Sequence, residues 1–463
     1  MNENERDALG YNRRDFLRGG SVATLMTMLG GVELFAQTNE TAAAKQEEAK
    51  VKTTVAVIGL GSWGREIVNT LTRMPQSKPP IEAQIVAICD TYPASLKRTA
   101  SAAPGAAQET DYKKVLANKD IKAVIVATPT HQHKTVVLDA LKAGKHVYCE
   151  APLAGSIEEG KEIALAAKAA KNLVFQCGLQ MRSDPQRHFL LPFIRSGALG
   201  KAMLARAQWH KKTNWRAASP NPEREAALNW RLNKGTSLGL MGEIGMHQVD
   251  QAGWFLNGLP KAVTGWGSIN FWKDGRDVAD TVQAVFEFPD EVRMLWDATL
   301  VNSYEGESEA LYGSDAAVLM RESKAWMFKE VDSPLLGWEV YAPKTTFYKE
   351  TGIVLAAGNS KPPPTDANGN PIQPDPLTTT PLFAALGNFL RNSVDLDLAA
   401  ENYKASYGED DVEGLMEAMA KVPRRAAADY LDGYRALVTG VKANEAIVER
   451  KRIELKPEWY ELS

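Results

Sequence analysis

The sequence is short of cysteine, of net charge and of long apolar runs, and each shortage removes a class of protein. Three cysteines stand among 463 residues. Cys89, Cys149 and Cys177 lie inside apolar stretches without metal-ligand spacing, so they read as small buried hydrophobes, and neither a metal site nor a disulfide scaffold is expected. The formal net charge of -3 leaves no basic face for nucleic-acid phosphates. The apolar segment from Ser21 to Ala36 carries Glu33 and falls short of the ~20 residues that a membrane span needs, so no stable membrane anchor is expected. No internal repeat is visible. What remains is an ordinary composition, 44% hydrophobic and 24% charged, with length for two domains.

The first 36 residues differ from the rest. Arg13 and Arg14 precede Phe16, Leu17 and the short apolar segment, a start that resembles a twin-arginine export signal. Cleavage after Ala36 and a polar linker over 37–52 are expected. The resemblance implies the twin-arginine export machinery as a partner and a periplasmic or otherwise exported protein, cytoplasmic if the signal is vestigial. That route carries folded proteins, so a cofactor would travel already bound.

From 53 to 178 the pattern is strand, glycine turn, helix, repeated. Val55 to Ile58 form an apolar run suited to a strand buried on both faces. Gly59, Gly61 and Gly64 follow as G-x-G-x-x-G, with Ser62 and Trp63 opening a helix whose free N–H groups can take a pyrophosphate. A second strand ends at Asp90, placed to accept from the adenosine ribose hydroxyls and to repel a 2'-phosphate. NAD is therefore favoured over NADP, although Lys97 and Arg98 could serve the phosphorylated form and Asp90 could instead cap the helix after Pro93. A third strand ends at Thr128 and Pro129, and a fourth at Glu150. Strands alternating with helices predict a parallel sheet, with Gly59, Asp90, Thr128 and Glu150 lining one crevice at its carboxyl edge.

The run ATPTHQHKTVVLDALKAGKHVYCEAPLA, from Ala127 to Ala154, resembles the signature of the Gfo/Idh/MocA oxidoreductases, and the likeness extends from about Thr53 to Leu335. Family members read T-P-x-x-x-H, A-G-K-H-V and then E-K-P. His133 matches the family histidine and Glu150 and Pro152 match two positions of the last motif, while Ala151 stands where the family carries a lysine that bonds the substrate oxygen. The resemblance implies an N-terminal Rossmann domain, a C-terminal α+β domain over 179–463 with an open, mostly antiparallel sheet, and a homo-oligomer formed through that sheet. Thr128, Pro129, His133 and Glu150 are thereby expected to join the glycine loop and Asp90 around the cofactor.

In the second domain, GEIGMHQVDQAGWFL reads as one helix with Glu243 and His247 on one face and Asp250 beside them, a cluster able to fix an imidazole tautomer. The resemblance implies that His247 takes the hydroxyl proton as hydride leaves, with Glu243 in place of the family aspartate. Trp215, Arg231, Lys234 and Asp250 are candidates for the substrate pocket, since indole faces and hydrogen-bonding arms suit sugar rings. A solvated basic loop with packed tryptophans is the bland reading of the same residues. The proline- and asparagine-rich stretch 356–380 is expected to be a surface loop.

The leading expectation is a nicotinamide-dependent oxidoreductase moving hydride between tightly bound NAD and a sugar or cyclic polyol. Two alternatives stand beside it. One is a redox-neutral NAD-dependent glycosidase, which oxidises at C3, eliminates the glycoside, adds water and reduces again. The other is a non-catalytic sugar- or dinucleotide-binding protein.

Overall fold

The computed structural model describes residues 51–462 apart from 78–79, 323, 341, 348 and 356–379. The twin-arginine segment, the linker up to residue 50 and all but the last residue of the proline-rich stretch lie outside the described residues.

In the first domain the elements are β1 (Val51–Ile58), α1 (Ser62–Arg73), β2 (Ile81–Cys89), α2 (Pro93–Ala100), β3 (Ala107–Glu109) and α3 (Tyr112–Ala117). They continue as β4 (Ala123–Val126), α4 (His133–Lys142), β5 (His146–Cys149), α5 (Ile157–Ala169) and β6 (Phe175–Cys177). The first strand thus takes Val51 and Lys52 from the expected linker, because Val51 is buried and pairs with Ile81. The six strands make one parallel sheet in the order β3-β2-β1-β4-β5-β6. Every residue of β4 and β5 is buried, which is why these strands read as unbroken apolar runs. Strand order reverses between β1 and β4, and a doubly wound sheet opens its ligand crevice there.

The second domain begins with α6 (Pro185–Arg195), β7 (Ala202–His210), α7 (Pro222–Leu228) and α8 (Met246–Leu256). Its meander is β8 (Ala262–Ser268), β9 (Thr281–Glu287), β10 (Arg293–Thr299), β11 (Glu307–Gly313), β12 (Ala316–Arg321), β13 (Lys324–Lys329), β14 (Lys344–Phe347) and β15 (Glu350–Leu355). Three helices follow, α9 (Pro381–Tyr407), α10 (Val412–Ala420) and α11 (Tyr430–Glu449), and β16 (Ile453–Glu454) closes the chain on the edge of β8. Ten strands form the second sheet, antiparallel except for the pair β7 and β10. Alternate residues of β9 and β10 are buried, and their inner set, including Phe286 and Trp296, shares a core with α8 and α11. On the neighbouring strands β7 and β8, the large apolar side chains of Met203 and Trp266 are half exposed.

One boundary moves. The chain from 179 onward does not all belong to the second sheet, because α9 returns to cover the first. Leu386, Phe389 and Leu390 join Val55, Ile125 and Tyr148 in one buried cluster, and the Tyr148 and Phe389 rings meet edge to face at 5.7 Å. Among the described residues no helix is long and apolar enough to cross a membrane.

Candidate active site

The crevice starts at the glycine turn. Gly59 has φ +97°, and a Cβ there would lie 2.5 Å from the Ala127 carbonyl oxygen. A Cβ on Gly64 would lie 1.9 Å from the Gly59 oxygen, so helix and strand pack through that position. Gly61 is different: a Cβ would meet nothing within 4 Å. Its bareness keeps space over the turn open, which is what close approach of a phosphate requires. Ser62 and Trp63 are exposed at the start of α1, whose first turn has no side-chain cap and no acidic residue. The backbone N–H groups there remain available to an anion. Asp90 accepts from the Leu60 N–H through Oδ2 at 2.9 Å and from the Tyr92 N–H through Oδ1 at 2.8 Å. It therefore ties the glycine turn to the start of α2. These observations fit a dinucleotide, with Gly61, Ser62, Trp63 and Asp90 as the residues that would hold it.

His133 lies elsewhere than expected. It is 1% exposed, with Nδ1 at 2.8 Å from the Pro152 carbonyl and Nε2 at 2.9 Å from the Thr128 carbonyl. Its burial lowers its pKa. A neutral ring carries one N–H, so His133 donates to one of these carbonyls and only faces the other; it sits between the segments that follow β4 and β5, with neither nitrogen turned to the crevice. Thr128 Oγ1 is buried without a partner. Neither Thr128 nor Pro129 makes a side-chain hydrogen bond that would fix its role.

Glu150 is 8% exposed at the end of β5. Gly178 packs directly on it, since a Cβ there would lie 2.6 Å from Glu150 Oε2. Burial pushes its carboxyl up from 4.5 to about 7, while the Trp63 indole N–H and the Arg231 charge pull the other way. Ala151, next along, turns its methyl to the core. Because the folded state holds this proton between pH 4.5 and about 7 while the unfolded chain releases it, the native protein loses stability as pH rises through that window. Glu150→Gln removes the dependence. Urea denaturation is expected to show the variant gaining on the wild type by up to about 3 kcal/mol between pH 5 and pH 8.

From the second domain comes Glu243. The helix expected through Glu243 and His247 is interrupted, because residues Met241–Gly245 form a π turn before α8 begins. Gly245 permits this: a Cβ on it would lie 2.6 Å from the Trp296 ring. Glu243 does not pair with His247. It accepts from the Leu238 N–H at 3.1 Å and, across the domain boundary, from Thr130 Oγ1 at 3.1 Å. Burial raises its pKa, and the Arg231 charge opposes that rise. Wide helical turns of this kind often mark functional segments.

His247 stands in the first turn of α8 with no hydrogen bond to its ring among the described residues. Burial holds its pKa below the ordinary 6.5, against a smaller opposing pull from Asp250. Asp250 is a correction. Both its oxygens accept from Arg182, at 2.9 and 2.8 Å, and Arg182 also pairs with Asp432 at 3.2 Å. Asp250 is thus engaged by Arg182 and makes no hydrogen bond to the His247 ring among the described residues. That ion cluster borders a cleft of about 360 Å³ with Trp254 and Arg435, whose lining includes neither the glycine loop nor Glu150, Glu243 or Arg231. The crevice at the strand ends holds the candidate chemistry.

The remaining candidates divide. Arg231 has its guanidinium 4.7 Å from the Trp230 ring and 5.7 Å from the Trp215 ring. Trp215 adopts φ +58°, a left-handed conformation that costs a bulky residue on the order of 1–3 kcal/mol and recurs at ligand clamps. Lys234 is exposed and, among the described residues, engages only through its backbone N–H, bonded to Asp277. Sequence reasoning passed over Thr130, which joins the domains, and Gly178. No spacing rule marks either, although Thr130 lies inside the quoted signature run. Among the described residues no group of histidine, cysteine, aspartate and glutamate could hold a metal ion.

A parallel sheet of order 3-2-1-4-5-6 with a glycine turn built for a pyrophosphate defines a Rossmann dinucleotide-binding protein, here facing the acid-bearing π turn of a second sheet domain. Residues 53–177 match the family model described as oxidoreductase family, NAD-binding Rossmann fold, and residues 192–319 match the GFO/IDH/MocA C-terminal domain. Together these matches span more than half of the chain, which belongs to the Gfo/Idh/MocA oxidoreductases. Levoglucosan dehydrogenase of Pseudarthrobacter phenanthrenivorans is 30% identical over 201 residues, 43% of this chain and 50% of that protein. Inositol 2-dehydrogenase 4 of Saccharopolyspora erythraea is 31% identical over 150 residues, 32% of this chain and 43% of that protein. The chain thus aligns over about half the length of these relatives. A structure of levoglucosan dehydrogenase in complex with NADH superposes with a TM-score of 0.64 at 19% identity, covering 88% of this chain and 99% of that one.

Proposed function

We propose that this protein oxidises a carbinol of a sugar or cyclic polyol, with His247 as the proton acceptor. The observation that carries the reading is the bond from Thr130 to Glu243, which draws the segment bearing His247 onto the crevice of the nucleotide domain. When bound, NAD accepts a hydride, so oxidation of the carbinol leaves a carbonyl and one proton. His247 is held neutral by burial and has a free ring nitrogen to receive that proton. Glu150 and Glu243 close the crevice from the two domains, and the Trp215 and Trp230 indoles offer faces to a sugar ring.

A retained cofactor and export through the twin-arginine route belong to the same proposal. Supporting retention, the Arg224 guanidinium on α7 lies 4.3 Å over the Tyr92 ring, so the second domain reaches across the adenosine side of the crevice. Half-exposed Met203 and Trp266 on the second sheet support association of copies through that face.

The test is direct. Purified protein is analysed for nucleotide carried through purification and then offered a panel of sugars and cyclic polyols with NAD or NADP. Reduced nicotinamide is expected with NAD and at least one member of the panel. Sugar released from glycosides without added or consumed NAD would instead assign the redox-neutral reaction, and no turnover with either cofactor would reject the dehydrogenase reading.

A further inference from the structure

We propose that Arg231 binds the oxygen on the reacting carbon, supplying the positive charge that Ala151 cannot, and that its planar fork spans this oxygen and a neighbouring hydroxyl, so that the preferred substrate presents a vicinal diol. The proposal rests on the reaction proposed above. As the hydroxyl proton leaves for His247, negative charge builds on the substrate oxygen, and a crevice lined by two carboxyls and a neutral imidazole offers it nothing cationic unless Arg231 does.

Three observations single this residue out. Its guanidinium makes no hydrogen bond or salt bridge among the described residues, and Nε is buried without a partner. A buried donor left unmade costs about 1–3 kcal/mol, a cost that a bound oxygen would remove. Its two indole neighbours, Trp230 and Trp215, hold the fork without using its donors. Its charge also reaches both Glu150 of the first domain and Glu243 of the second. The alternatives are placed elsewhere: Lys211 and Lys234 are exposed, and the Lys212 ammonium lies over the Phe271 ring. An arginine differs from a lysine here in presenting two parallel donors in one plane, which match two adjacent oxygens.

The experiment uses the sugar or polyol that turns over in the panel. Arg231→Ala is expected to lower kcat/KM by on the order of 10²–10³ with the NAD dissociation constant unchanged. Methylguanidine at millimolar concentration should restore at least roughly a tenth of the lost rate, while sodium chloride of equal ionic strength should not. Arg231→Lys, which keeps charge but not the fork, should fall between the two. A deoxy analogue lacking the neighbouring hydroxyl should narrow the gap between wild type and Arg231→Ala. If Arg231→Ala melts early, Arg231→Gln takes its place. An Arg231→Ala enzyme within about threefold of wild type overturns the proposal and leaves the reaction standing. So does a loss that methylguanidine does not relieve and that Arg231→Lys shares in full, since that pattern belongs to packing. Absence of turnover in the wild type removes both the reaction and this role.

Discussion

His247→Ala is expected to lower kcat by on the order of 10²–10⁴, the usual contribution of a positioned acid or base, while binding NAD as the wild type does. The groups that shape the nucleotide site are held without the imidazole. Gly59, Gly64 and Asp90 are held by backbone contacts within the first domain, and Glu243 is held by Thr130 and Leu238. The pH dependence carries the sharper sign. Burial lowers the His247 pKa from 6.5, so the neutral, proton-accepting ring is present throughout neutral pH and is lost only on acidification. The wild-type profile of oxidation should therefore fall on an acid limb below pH 6.5, and that limb should vanish in His247→Ala. A pH series of kcat/KM together with an NAD titration decides it. Unchanged turnover in the variant would assign the proton to another residue.

Much of the first domain was legible because local rules coincide there. Apolar four-residue runs, glycines at fixed offsets and carboxylates at strand ends follow from a parallel sheet covered on both faces, and Gly59, Asp90 and Glu150 stand at one edge as their spacing suggested. The second domain was legible in kind but not in detail. GEIGMHQVDQ was read at a single helical period, whereas a π turn separates Glu243 from His247 where Gly245 admits the Trp296 ring, a contact 51 positions away that periodicity cannot express. Asp250 looked available because its partner, Arg182, is 68 residues distant. His133 shows the opposite limit. The motif singled the residue out for the cofactor, yet its burial and its two carbonyl neighbours place the ring between strand ends. Arg231 was one basic residue among several in a tryptophan-rich loop. What separates it from Lys234 is the absence of a protein partner combined with a field felt in both domains.

Arg187→Ala is expected to destabilise the second domain by about 3–5 kcal/mol, the cost of stranding a buried charge. Arg187 is 1% exposed on α6 and donates through Nη2 to Glu309 Oε2 on β11 at 2.9 Å. The other Glu309 oxygen accepts from Gln248 Nε2 at 3.2 Å, and Gln248 Oε1 accepts from the Trp296 indole N–H at 2.8 Å. One arginine thus anchors a chain of bonds from α6 through the sheet to α8. Its removal leaves Glu309 buried without its cation. Urea denaturation of the variant beside the wild type measures the deficit. Arg187→Met combined with Glu309→Leu removes both charges of the closer pair and should recover part of the loss, since buried Asp184, 3.9 Å from Arg187, still loses its cation; a double-mutant cycle reads the non-additivity directly. Gln248 is the residue after His247, so slackening this network should also cost turnover under conditions where the protein is still folded. Equal loss from the single and the double variant would mean that the cluster acts through volume alone, and the link from the buried ion pair to the catalytic helix would then have no basis.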